Sequence, residues 1–159
     1  MKRRLGIGIV VAVLVAAGTA QAQVTPADRA GAFKAAGVKS GKWVDRESGA
    51  ECQYAIEADG VKDLNGDGRP DIVITGSGTY CYGNTGQGYF ITEKTAAGTW
   101  RLVDQNQGIP TFLPTRGVGG WPDIEVGGPG FCFPIVRYNG KEYAYLRNKE
   151  YQRGACARR

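Results

Sequence analysis

DLNGDGRPDIVITG, residues 63–76, decides how this chain is read. Asp63, Asn65, Asp67 and Asp71 stand at positions 1, 3, 5 and 9 of one short loop, and Gly68 lies between them. The loop then passes at once into Ile72-Val73-Ile74. Spaced oxygen-bearing side chains followed by a β-branched run predict a tight bend feeding a strand. In such a bend alternate residues point inward. Asp63, Asn65 and Asp67 then offer side-chain oxygens, the carbonyl of Arg69 completes one side, and Asp71 closes the cage. A hard cation such as calcium takes about six to eight oxygen ligands. An EF-hand would place a bidentate Glu on a helix at the twelfth position; Ile74 occupies that position. Asp and Asn also make ordinary turns through local hydrogen bonds, but four spaced acceptors exceed what a turn needs. The expectation is one calcium ion with a structural role, which neutralises clustered carboxylates and pins the hairpin.

Outward from this loop the chain reads as short strands between glycine-rich turns. Strands are expected at residues 42–44, 52–57, 70–75, 88–93, 99–103, 134–138 and 141–147. Ala96-Ala97-Gly98 reads as one hairpin turn. Asn139-Gly140 reads as a two-residue turn with positive φ at both positions. Ahead of the strands, Thr25 can cap a helix, Pro26 suits its first turn, and Asp28 favours its positive end. That helix should run over residues 25–36, stop at Gly37, and dock through Ala32, Phe33 and Ala36. PDIVITGSGTYC at residues 70–81 is echoed by WPDIEVGGPGFC at residues 121–132. The echo makes residues 121–147 a second, related unit. The fold class expected is mainly β: a small antiparallel sheet or sandwich of two related hairpin units with one short N-terminal helix.

Residue by residue, Asp63, Asn65, Asp67, Gly68, Asp71, Ile72, Val73, Ile74 and Gly76 resemble the calcium loop of FG-GAP repeats, also called VCBS or integrin-α-type repeats. The resemblance covers about 14 residues and implies a β-hairpin whose loop holds calcium through Asp63, Asn65, Asp67, the Arg69 carbonyl and Asp71. Around the second copy only Asp123 matches that ligand set; the earlier positions are Thr115, Gly117 and Gly119. One calcium is therefore expected, and no propeller, which needs about four blades or more. DLNGDGRPD, GGWPDIEVGGPGFCFP and the hairpin around Asn139-Gly140 also resemble pieces that recur in a group of small secreted bacterial proteins. That resemblance implies export, calcium and disulfides; it supplies no activity.

The start of the chain supports export. Lys2, Arg3 and Arg4 precede an apolar run of about a dozen residues, too short to span a bilayer comfortably. Ala20-Gln21-Ala22 fits a signal-peptidase site. Residues 1–22 are read as a bacterial signal peptide and 23–159 as a single β-rich domain, periplasmic or secreted, with no stable membrane insertion after cleavage. Removing three cations lowers the net charge from +5 to +2, which gives no reason to expect nucleic acid. The remaining basic residues gather at Arg147, Lys149, Arg153, Arg158 and Arg159, read as a solvated tail. An anionic envelope polymer or lipid headgroup is the alternative there. Four cysteines in an oxidising compartment predict two disulfides. Cys52–Cys81 and Cys132–Cys156 close the smaller loops and are the favoured pairing. The chain has no histidine. That excludes Ser-His-Asp and Cys-His catalysis and His-ligated metals.

Function has fewer markers. Residues 115–134 carry Trp121, Phe131 and Phe133 on a glycine- and proline-rich backbone. They read either as small-core aromatics or as a surface for a partner. Tyr80 and Tyr82, flanking Cys81, admit the same two readings. The first expectation is a non-catalytic binding or scaffold module whose partner is a protein or a cell-envelope glycan, with Trp121, Tyr80, Tyr82 and Phe131 as candidate contacts. The second is a periplasmic inhibitor of a hydrolase acting through residues 115–134. The third is a small glycosidase using Asp123 and Glu125, which share one face of a strand if both lie in it.

Overall fold

The computed structural model describes residues 24–158. The expected signal peptide at residues 1–22 and Arg159 lie outside the described residues. The chain begins with helix α1 (Pro26–Ala36) and continues through β1 (Gly41–Val44), β2 (Glu51–Ala55), β3 (Val61–Lys62) and β4 (Asp71–Ser77). A single helical turn, α2 (Thr79–Tyr82), leads to β5 (Gln87–Lys94) and β6 (Trp100–Gln107). The second half is β7 (Ile109–Arg116), β8 (Pro122–Gly127), β9 (Cys132–Tyr138) and β10 (Tyr143–Glu150). Every strand pairing is antiparallel. The first sheet runs β1-β2-β4-β5-β6, with β3 also on β4, and the second runs β10-β9-β8-β7. The chain crosses between sheets at Gly108, whose φ of 142° and closeness to Val126 and Gly127 leave no space for a side chain.

The two echoing segments become central strands of different sheets, β4 and β8, and the sheets pack face to face. Val73, Tyr89, Ile91 and Val103 from the first meet Trp121, Ile124, Val126, Val136 and Tyr138 from the second, and Leu64 joins them. The far side of the first sheet carries α1, where Ala32, Phe33 and Ala36 pack on Ile72 and Ile74. β4 is thus covered on both faces, which is why its sequence is a continuous apolar run rather than an alternating one. The helix starts as its sequence dictates. Thr25 Oγ1 accepts from the Asp28 backbone N–H at 3.1 Å, Asp28 accepts from the Thr25 backbone N–H at 3.0 Å, and Gly37 ends the helix at φ 71°.

Both disulfides form in the favoured pairing. Cys52–Cys81 ties β2 to α2, and Cys132–Cys156 ties β9 to the last turn of the chain.

Several expectations need correction. β7 was not anticipated: Pro110 and Pro114 argue against a strand. It lies at the edge of its sheet, where a missing N–H costs least. The Asn139-Gly140 hairpin exists, but its loop spans residues 139–142, because Tyr138 pairs with Tyr143. No described non-glycine residue has positive φ. Asn139 instead holds the turn with its side chain, accepting from the backbone N–H groups of Lys141 (2.9 Å) and Glu142 (3.0 Å). Arg147 and Lys149 belong to β10, not to a solvated tail.

Candidate functional site

The acidic loop is drawn in on itself. Asp63 accepts backbone hydrogen bonds from Gly66 (2.8 Å), Asp67 (3.1 Å) and Gly68 (2.9 Å). Asn65 accepts from the Asp67 N–H at 3.0 Å and donates to the Asp67 carboxylate at 3.0 Å. Asp67 also accepts from the Arg69 backbone at 2.8 Å and from its guanidinium at 2.5 Å. Gly66 and Gly68, at φ 79° and 81°, allow the double reversal that this network requires.

Asp71 is the exception. It is 1 % exposed and accepts one hydrogen bond, from the Leu64 backbone at 2.8 Å. Its neighbour across the β4–β5 ladder is another acid, Glu93. Burial pushes the Asp71 carboxyl up to about 7, and the charges of Asp67, Glu93 and Asp63 push the same way. Arg101 pairs with Glu93 at 2.6 Å, but no cation pairs with Asp71 among the described residues.

The equivalent position in the second unit is answered differently. Asp123 is also 1 % exposed, yet Arg137 on β9 donates to both its oxygens at 2.8 and 2.7 Å, and Thr115 adds a bond of 2.6 Å. The Arg137 guanidinium holds the Asp123 carboxyl below its ordinary range. The two aspartates therefore start strands that echo each other in sequence, Asp71 on the face of β4 that carries Val73 and Asp123 on the outer face of β8, in opposite electrostatic states.

The two information-rich segments of the sequence meet here. Arg116 donates to the Leu64 carbonyl at 2.7 Å and to the Gly120 carbonyl. Gly120 sits so close to the Asn65 carbonyl that a Cβ would overlap it. The glycine-rich bend before β8 is thus a buttress for the acidic loop. Trp121 is 3 % exposed and packs on Tyr138, which corrects its assignment as a partner contact. Tyr82 is likewise buried, over the paired glycines Gly76 and Gly88, where its ring takes the space of any side chain. Phe131 and Tyr80 are the two aromatic candidates that do reach the surface, at 56 % and 58 % exposed. Sequence reasoning passed over Trp43, 46 % exposed on β1. Its one sequence signal was an apolar side chain between Lys42 and Val44 in a strand too short to bury it.

Asp123 and Glu125 do share one face of β8, as expected. It is the outer face, since Ile124 and Val126 point into the core. Glu125 accepts from Lys149 at 2.9 Å and from the Tyr151 hydroxyl at 2.7 Å. Burial pushes its carboxyl up, but the bonds from Tyr151 and Lys149 outweigh that and hold it below its ordinary range. A glycosidase acid needs the opposite shift.

On donor chemistry and charge, the loop fits a hard divalent cation: carboxylates, an amide oxygen and an acid excess around buried Asp71. The ligand cage is not assembled. Among the described residues no group of three or more His, Cys, Asp or Glu side chains is arranged to hold a metal. Asp67 is turned toward Arg69 instead. No protein-family model, curated protein or solved structure matches this chain.

Proposed function

We propose that the chain is an exported, calcium-stabilised, disulfide-bonded β module that binds or scaffolds and has no catalytic activity of its own. The observation that carries the reading is the contrast between Asp71 and Asp123. Where Asp123 has a guanidinium, Asp71 faces Glu93 and a loop of further acids. Bound calcium would supply the positive charge that the first unit lacks, as the Ca-loop resemblance to FG-GAP repeats implies. Asp63, Asn65, Asp67, the Arg69 carbonyl and Asp71 would hold it, with Asp67 exchanging the Arg69 guanidinium for the ion. Arg116 and Gly120 would keep the loop in place against the second sheet.

Export rests on the basic start, the short apolar run and Ala20-Gln21-Ala22. Two disulfides suit an oxidising compartment such as the periplasm or the medium. Among the described residues no helix is long and apolar enough to cross a membrane. The non-catalytic reading rests on the missing histidine, the oxidised cysteines and the ion-paired states of Asp123 and Glu125.

Equilibrium dialysis against calcium tests the reading. The expected result is one ion per chain, lost in Asp67→Ala. A chain that retains no calcium would overturn it.

A further inference from the structure

One exposed feature belongs neither to the core nor to the acidic loop. Trp43 on β1 and Tyr80 on α2 lie side by side, with ring planes 24° apart and centroids 6.2 Å apart, an offset stack. Both rings remain about half exposed, at 46 % and 58 %. Cys52 stands opposite Trp43 in the β1–β2 register, and Cys81 follows Tyr80 in the chain. The Cys52–Cys81 bond therefore fixes the two aromatics relative to each other. A covalent clamp that holds two large rings open to water preorganises a surface, so little ordering cost remains when a ligand lands on it.

The rings form one wall of a groove of about 430 Å³, in the range of small-ligand sites. Lys39, Lys42 and Tyr54 also line it. The lining carries two cations and no carboxylate. Lys42 spends part of its charge on Glu51, whereas Lys39 makes no ion pair among the described residues.

We propose that this groove is the binding site of the module, and that its ligand is a carboxylate-bearing polysaccharide. The proposal rests on the binding-module reading above and gives that module a site and a ligand class. The chemistry is direct. The C–H face of a pyranose ring is apolar and flat enough to stack on indole and phenol, while its hydroxyls stay in water. A uronate carboxylate extending from that ring meets Lys39 and Lys42. Neutral sugars would gain the stacking without the charge, and a purely anionic polymer without pyranose faces would gain the charge without the stacking. Because the lysines are exposed, the charge contribution weakens as salt is raised.

Isothermal titration of the full exported chain with polygalacturonate and alginate fragments, and with neutral galactan fragments, tests this. The expected result is binding of the uronate fragments, weaker binding of galactan, and a loss of about tenfold or more in Trp43→Ala. Lys39→Glu should weaken the uronate fragments and leave galactan unchanged. Both variants should melt with the parent and keep its calcium stoichiometry, since both side chains are exposed and neither makes a hydrogen bond or ion pair with the acidic loop. Equal affinity of the parent and Trp43→Ala for the uronate fragments would overturn the proposal, as would no binding of either uronate by the parent. Either failure with one calcium per chain intact rejects this site alone. Failure together with loss of calcium binding rejects the module reading as well.

Discussion

Asp123 shows what a buried carboxylate at the start of a sheet-centre strand requires. Arg137 meets it with two parallel bonds, the strongest geometry available to such a pair. Removing one partner leaves a buried charge without an answer, which costs more than removing both. Arg137→Ala should therefore lower the urea midpoint more than the Asp123→Asn/Arg137→Ala double variant does. Equal midpoints would show that the pair is only a surface contact. The second residue-scale case is the stack of Tyr82 over Gly76 and Gly88. Any side chain at either glycine enters the ring. Gly88→Ala should destabilise by about 1–3 kcal/mol through overpacking, and most of that loss should vanish when Tyr82→Ala is added. Chemical denaturation of the single and double variants measures both values. Among 25 glycines the sequence marks Gly76 only as the end of the loop-and-strand match and Gly88 only as the start of an expected strand. Tyr82 was read as a surface candidate, because the sequence does not say which ring a bare backbone is kept open for.

Among the elements, α1 was the most legible, because its start is chemically determined. Thr25, Pro26 and Asp28 each satisfy or replace an N–H that the helix leaves without a partner. Thr25→Ala should cost about 1 kcal/mol. Asp28 adds a contact at distance. Lys94 pairs with it at 2.7 Å, and Trp100 donates to it at 3.3 Å, which joins the helix to β5 and β6. The Lys94 bond first, and then the Thr25 bonds, hold the Asp28 carboxyl below its ordinary value of 3.8. A depressed carboxylate stabilises the fold above its unfolded value, and that contribution is lost as pH falls through the folded one. Asp28→Asn should therefore melt well below the parent at neutral pH, and the gap should close as the pH drops below about 4. A gap that stays constant with pH would show that the charge is not the source of the effect. The positions of the hairpins and the β4 run were also readable, being local matters of turn residues and β-branching, although the turn at Asn139-Gly140 is four residues long rather than two. β7 was not readable. Its two prolines are tolerable only at a sheet edge, and edge position is a property of the assembled sheet.

At the scale of the molecule, the fold is two antiparallel sheets face to face with a helix on the outside, with one disulfide between β2 and α2 and a second between β9 and the turn that follows β10. Replacing Cys132 and Cys156 together by serine opens a loop spanning 24 residues and should cost about 3 kcal/mol, read from denaturant midpoints with and without reductant. The mainly β class, the pairing of cysteines and the internal echo all lay in the sequence, because spacing and composition carry them. The outcome of the echo did not. The two units share a buried aspartate, but one answers it with Arg137 from a neighbouring strand and the other sets it against Glu93. Nor did the sequence show that the glycine-rich bend before β8 would brace the acidic loop, since that contact joins residues more than fifty positions apart. The central claim is that a divalent cation completes the first unit as arginine completes the second. Melting temperature as a function of calcium tests it most directly. The account predicts a rise with calcium, a fall with chelator, and no response to either in Asp67→Ala. A parent chain that melts at the same temperature in calcium and in chelator would contradict it.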